Sequence, residues 1–264
     1  METRSVQLLF LGSGTSTGVP MIGCECGTCR SSDPRDSRTR SSVLFRWHDG
    51  PALRQVLVDT STDLRFQALR ESLSRIDAVL FTHSHADHVH GLDELRSFNF
   101  IQKTAIPCYG NAETLEKIKT RFDYIFDQRV FEGGGLPRLT LHPIEDDFEL
   151  FGMKITVLPV WHGPARVFGY RIGPIAYITD CSEIPEETMR KVRGSRVLVV
   201  GATQRKPHPT HFSLNQAIEA VRASGAPKGF ITHINHDLKH DEISAELPPG
   251  MAMAHDGLLL EEGL

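Results

Sequence analysis

The chain has 264 residues, 40% of them hydrophobic, enough to bury a substantial core, which excludes collagen-like, disulfide-dense and disordered readings. Its 29 basic and 33 acidic residues leave a net charge of −4, so no broad electrostatic footprint for nucleic acid or an anionic membrane is expected. No window approaches the roughly 18 apolar residues of a membrane span, and METRSVQLLFLGSG has no long apolar stretch before its glycines; a cytoplasmic protein without a membrane partner is expected.

In chain order, β-branched and aromatic runs predict strands at Val6–Gly12, Ser42–Trp47 and Gln55–Thr60, then a helix from Asp63 (DLRFQALRESL) and a strand at Ala78–Thr82. A helix from Ala112 (AETLEKIKTRF), capped by Asn111, precedes Gly133–Gly135, a loop placed like a seam between two similar halves and too short for a flexible linker. The second half carries strands at Met153–Val160, Val167–Ile172 and Ile175–Thr179, a helix from Ile184 (IPEETMRKVRG) and a strand at Arg196–Val200. A helix from Ser213 (SLNQAIEAVRAS), capped by that serine and ending before Gly225, leads to a last strand at Lys228–Thr232. Strands precede helices in both halves without strict alternation, which predicts an α/β fold of two mixed β-sheets faced by helices, one domain over residues 1–264.

Thirteen histidines and five cysteines, three of the latter within six positions, point to metal rather than disulfides. After the strand at Ala78–Thr82 the chain reads THSHADHVHGLDEL, placing His83, His85, Asp87 and His88 together. In a chain still extended, His83 and His85 project to one side, while Asp87 and His88 sit where it turns into a helix and face back into the same hollow. Such a set suits one or two borderline-hard divalent ions. Further ligands are expected just past later apolar runs: His162, Asp180 and His233 each stand there. Asp59, closing QVLVDT, is read as a carboxylate that orients ligands rather than one that binds metal.

This set of residues resembles the metallo-β-lactamase superfamily over essentially the whole chain. The resemblance implies an αββα sandwich with a two-metal site in the groove between its sheets. His83, His85 and His162 would bind one ion, Asp87, His88 and His233 the other, and Asp180 would bridge them. Lactamases, thioesterases, nucleases and phosphodiesterases share the motif, so it does not settle substrate.

GCECGTC offers three thiolates, Cys24, Cys26 and Cys29, in a loop at residues 23–30. A tetrahedral structural Zn2+ needs a fourth ligand, and His236, three residues beyond His233 in THINHDL, is the best candidate. Cys108 and Cys181 have no such partners and are read as packing residues.

The CxCxxC loop, the opening LGSGTSTGVP and the HINH pair are together similar to the phosphoribosyl 1,2-cyclic phosphate phosphodiesterase family of bacterial carbon-phosphorus lyase pathways, which serve phosphonate metabolism. VHGLDELR at Val89–Arg96, YG at Tyr109, FGY at Phe168–Tyr170 and LPPG at Leu247–Gly250 continue the likeness. In that family one more histidine before the last helix takes part in catalysis, and His211 holds the matching position, although HPTHFSL replaces a longer charged stretch. The resemblance implies a small-molecule phosphodiester substrate and a homodimer.

Two divalent ions, Zn2+ or Mn2+, about 3.5–4 Å apart would share a hydroxide as nucleophile. His211 would protonate the leaving alkoxide or contact the phosphate. The loop around Ser13, Thr15, Ser16 and Thr17 is open to two readings, phosphate contact or a tight strand-exit turn beside the metals. His48, His90, His142, His208, His240 and His255 are left without a role. Competing functions are a transfer-RNA 3′-end processing nuclease, which normally carries a basic arm not visible here, and a non-catalytic pyrroloquinoline quinone biosynthesis protein with a similar zinc loop. Lactonase or β-lactamase activity is a further alternative.

Overall fold

The computed structural model describes residues 5–127 and 135–264; Gly133 and Gly134 of the expected seam lie outside the described residues. The strands are β1 (Ser5–Gly12), β2 (Ser42–Asp49), β3 (Ala52–Val58), β4 (Ala78–Leu80), β5 (Ile106–Gly110), β6 (Leu139–Pro143) and β7 (Phe148–Leu150), then β8 (Met153–His162), β9 (Ala165–Ile172), β10 (Ile175–Ile178), β11 (Val197–Gly201), β12 (Lys228–Thr232), β13 (Met251–Met253) and β14 (Leu259–Gly263). They form two seven-stranded sheets, β14-β1-β2-β3-β4-β5-β6 and β13-β12-β11-β10-β9-β8-β7. Both repeat one pattern. Three antiparallel pairings are followed by three parallel ones, from β14 to β6 in the first sheet and from β7 to β13 in the second.

The helices are α1 (Leu64–Arg70), α2 (Ala86–Val89), α3 (Leu95–Gln102), α4 (Ala112–Arg121), α5 (Asp123–Phe126), α6 (Glu186–Val192), α7 (Leu214–Ser224) and α8 (His240–Glu246). Alternation along each strand sends side chains to both faces. Leu8, Phe10, Val43, Phe45 and Val56 meet Val157, Phe168, Tyr170, Tyr177 and Val199 between the sheets. The intervening Leu9, Leu44, Leu57 and Val79 pack with Leu64, Leu95 and Ile118 of α1, α3 and α4. On the other side Val160, Ile178, Leu198 and Val200 pack with Met189, Ala217 and Val221 of α6 and α7. Sheets covered on both faces need apolar residues at nearly every strand position, which is why the strands read as continuous apolar runs.

The caps expected from sequence form. Asn111 Oδ1 accepts from the Thr114 N–H at 2.7 Å, Ser213 and Gln216 make a reciprocal capping box, and Gly225 ends α7 with a left-handed φ of 70°. Other boundaries differ. The strand expected to reach Thr60 stops at Val58, because Asp59 takes a φ of 64°. The helix expected from Asp63 ends at Arg70, two residues before Ser72 at φ 52°, and the one expected from Ile184 starts only after Pro185. Among the described residues no helix is long and apolar enough to cross a membrane.

Candidate metal centre and its surroundings

Parallel strands deliver the chemistry. Asp59 follows β3, Thr82 and His83 follow β4, Asp180 follows β10 and His233 follows β12, so all leave the sheets at carboxyl ends, where open α/β sheets place their ligands. His162 closes β8 and joins them from the antiparallel side. Asp59 and His233 both hold positive φ, 64° and 56°, a conformation costing a non-glycine residue of order 1–3 kcal/mol and one that clusters at functional sites.

The donor atoms of His83, His85, His162 and Asp180 all lie within 4.8 Å of one another, and so do those of Asp87, His88 and His233. Asp180 stands between the groups. Its Oδ1 is 3.3 Å from His88 Nε2 and 3.2 Å from His233 Nδ1. Its Oδ2 is 3.8 Å from His83 Nε2 and 4.0 Å from His162 Nε2. Thus every residue expected in the active-site pair is brought together.

The polar groups behind the imidazoles set their tautomers. Asp59 Oδ2 accepts from His88 Nδ1 at 2.7 Å and from the Thr82 hydroxyl at 2.7 Å. With its own proton committed to Asp59, that hydroxyl accepts from His83 Nδ1 at 2.9 Å. His162 Nδ1 donates to the Thr210 carbonyl at 2.6 Å. In the neutral form of each ring the proton is therefore on Nδ1 and the Nε2 lone pair faces the cleft, the state a metal ligand requires.

The buried Nε2 atoms of His83 and His88 have no hydrogen-bond partner. Unpaired buried acceptors are costly unless something else satisfies them, and a divalent ion does. The charge balance agrees. Burial pushes His88 down, but Asp180, Asp87 and Asp59 outweigh it and hold the imidazole well above its ordinary value, marking a place built for positive charge. Burial and the neighbouring His88 push His83 well below its ordinary value. Burial favours protonated Asp180, yet His233 and His88 pull its carboxyl well below the usual range. These donors fit divalent cations.

His211 lies beside the ligands, its Nδ1 3.7 Å from Asp180 Oδ2 and its ring 4.6 Å from that of His162 and stacked 5.1 Å from that of His233. Burial pushes its imidazole down to about 3, against the pull of Asp180. The opening loop packs beside the ligands. Ser13 Oγ donates to Asp256 at 2.8 Å, Thr15 Oγ1 is 3.2 Å from His233 Nε2, and Ser16 and Thr17 are exposed. Ser41, with Oγ 3.1 Å from His233 Nδ1, is a neighbour that sequence reading missed; a lone serine at a strand start carries no signal for it.

The four donors of the second cluster also meet. Cys24, Cys26, Cys29 and His236 place their atoms within 4.8 Å of one another, with His236 Nδ1 3.2 Å from Cys24 Sγ and 3.4 Å from Cys26 Sγ. The Cys29 N–H donates to Cys26 Sγ, holding that thiol down to about 6, whereas burial pushes Cys29 up to about 11. A buried Arg38 anchors the segment joining the two clusters. It pairs with Asp36 at 2.7 Å and donates to the carbonyls of Asn235 and Leu238 at 2.9 and 2.8 Å. Cys108 and Cys181 are buried away from this cluster, and burial pushes both thiols up.

Known proteins match this arrangement. A beta-lactamase superfamily domain matches residues 54–234, from β3 through the His233 segment. The chain belongs to the metallo-β-lactamase superfamily. Within it, the crystal structure of a diphosphatase from the PhnP family is 44% identical, covers 98% of each chain and superposes with a TM-score of 0.90. An octanoyltransferase of Porphyromonas gingivalis is 37% identical over 257 residues, 96% of this chain but 51% of the relative, so the chain spans about half that protein's length. Coenzyme PQQ synthesis protein B of Methylorubrum populi is 29% identical over 234 residues, 75% of this chain and 73% of the relative. The protein thus has the metallo-β-lactamase fold, and its His/Asp clusters suit divalent metals.

Proposed function

We propose that the protein is a dinuclear metal-dependent phosphodiesterase acting on a small phosphodiester, of the cyclic ribosyl or nucleotide kind. The observation that carries this reading is His211, a histidine beyond both three-residue sets, held 3.7 Å from the carboxylate between them. It suits protonation of an alkoxide leaving phosphorus; a lactone or lactam would need a proton on its leaving group as well, and the 44% identical PhnP-family diphosphatase is what favours phosphorus over those carbonyls.

His83, His85 and His162 would hold one ion, Asp87, His88 and His233 the other, with Asp180 serving both, and Cys24, Cys26, Cys29 and His236 a structural zinc. Bound ions supply Lewis-acid charge for a phosphoryl group and a nucleophile from water at neutral pH. Burial keeps His211 uncharged in the protein alone; the negative charge of a seated phosphodiester opposes that and favours the protonated ring. His211 then gives its proton to the leaving alkoxide, while Asp59 and Thr82 keep His83 and His88 in their ligand tautomers. The net charge of −4 supports a small substrate over RNA. The octanoyltransferase likeness does not move this reading, because about half of that relative lies beyond the matched length.

The test is turnover of 2′,3′-cyclic nucleotides, ribosyl 1,2-cyclic phosphate and bis(p-nitrophenyl) phosphate after stripping the active-site ions and reconstituting with Mn2+ or Zn2+. A preference for the cyclic ribosyl ester is expected. Hydrolysis of a diphosphate diester with no cyclic ester cleaved would place the protein with its diphosphatase relative instead, and loss of every phosphoryl substrate would end the reading.

A further inference from the structure

His208, the first histidine of the HPTH run, has no part in the site as described. It stands at the outer end of a file of imidazoles. The His233 ring is 5.1 Å from that of His211, which is 5.1 Å from that of His208, and exposure rises along the file from buried His233, through His211 at 17%, to exposed His208. The His208 ring has a defined tautomer. Its Nδ1 accepts from the Thr210 N–H at 3.3 Å, so in the neutral ring the proton is on Nε2, and among the described residues nothing accepts from it.

The donor is also held in place. The carbonyl of Thr210 is the group that His162 Nδ1 donates to. The Thr210 side chain presses on Gly163, where a Cβ would come 2.8 Å from Thr210 Cγ2. The Phe212 N–H donates to the Cys181 carbonyl at 2.7 Å. The loop that carries His208 is thus tied directly to His162 and to the residue after Asp180. The exposed Lys206 two residues earlier adds positive charge.

Resting on the phosphodiesterase reading, we propose that His208 Nε2–H is the donor for a second phosphoryl group of the substrate, the one beyond the scissile phosphorus, and that it sets specificity for substrates that carry one. With phosphorus at the ligand clusters and its leaving oxygen at His211, the next anionic group outward meets His208. That group is either the second half of a diphosphate or a phosphate on the sugar of a cyclic ester.

The test is calorimetric binding of inorganic pyrophosphate and of orthophosphate to the Mn2+-loaded protein, for wild type, His208→Ala and His208→Gln. Loss of one hydrogen bond to a charged oxygen lowers affinity about tenfold, so the pyrophosphate-to-orthophosphate affinity ratio should fall roughly tenfold in His208→Ala. His208→Gln, whose amide N–H reaches the same position, should restore most of it; a merely structural role would weaken both probes together and leave the ratio alone. A KM that rises for a diphosphate diester, or for a cyclic nucleotide with a 5′-phosphate, identifies the source of the second group. If wild type binds both probes and the ratio does not move, the His208 assignment is wrong. If wild type binds neither, the phosphoryl-site reading beneath it fails as well.

Discussion

Asp59 and His88 share a hydrogen bond of 2.7 Å, and the same carboxylate reaches His83 through the Thr82 hydroxyl. One buried group therefore orients a ligand in each half of the centre. Removal of groups that orient metal ligands lowers metal affinity by roughly 10–100-fold. Asp59→Ala should weaken both active-site ions by that factor, read by competition with a chelator, while the Cys/His cluster keeps its zinc. Unchanged affinity would mean that the tautomers are set elsewhere.

His211→Ala should keep its active-site ions and lose turnover by roughly 10² to 10⁴, the usual scale of a general acid. The loss should shrink on a substrate with a good leaving group such as p-nitrophenolate, which needs no proton. A variant that instead sheds metal would make His211 a ligand, a role its distance from Asp180 also allows geometrically.

Cys26→Ser should lower both zinc content and the thermal midpoint, because a structural zinc contributes folding free energy. His236 lies three residues from His233 on a segment gripped by Arg38, so some active-site metal should be lost as well. Wild-type zinc content and wild-type unfolding in this variant would remove the structural site.

Acid sensitivity should come in part from His240. Burial, with Arg35 and Arg38 nearby, pushes its imidazole from 6.5 down to about 4. The fold thus prefers the neutral ring while the unfolded chain binds a proton from pH 6.5 downward, so this contribution is present above 6.5 and is lost as pH falls from there toward 4. Between about pH 7.5 and 5.5 the thermal midpoint of wild type should drop further than that of His240→Asn. Parallel drops in the two proteins would assign the sensitivity to other groups.

Much of this molecule was legible in its sequence. The inner strands of both sheets are buried on two faces and so read as apolar runs. The edges did not: β6 carries exposed His142 and Pro143, and no residue of β14 is fully buried, since an edge strand need bury little. β5 was hidden by Pro107 and Gly110 within five residues. The ligand set was legible because metal chemistry restricts residue type and spacing. His208 was not: its position beside His211 depends on how the loop from β11 is tied to Thr210 and Gly163, through contacts distant in sequence. The three-residue spacing from His211 was the only signal, and alone it is weak.

The central claim is that two divalent ions, held by the His/Asp clusters, drive phosphodiester hydrolysis. The most direct measurement strips the active-site ions while retaining zinc at the Cys/His cluster, then titrates Mn2+ and follows hydrolysis of ribosyl 1,2-cyclic phosphate. Activity should be absent without metal and reach its plateau at two equivalents per chain, with no such plateau in Asp180→Ala. Full activity at one equivalent, or none at any loading, would contradict the account.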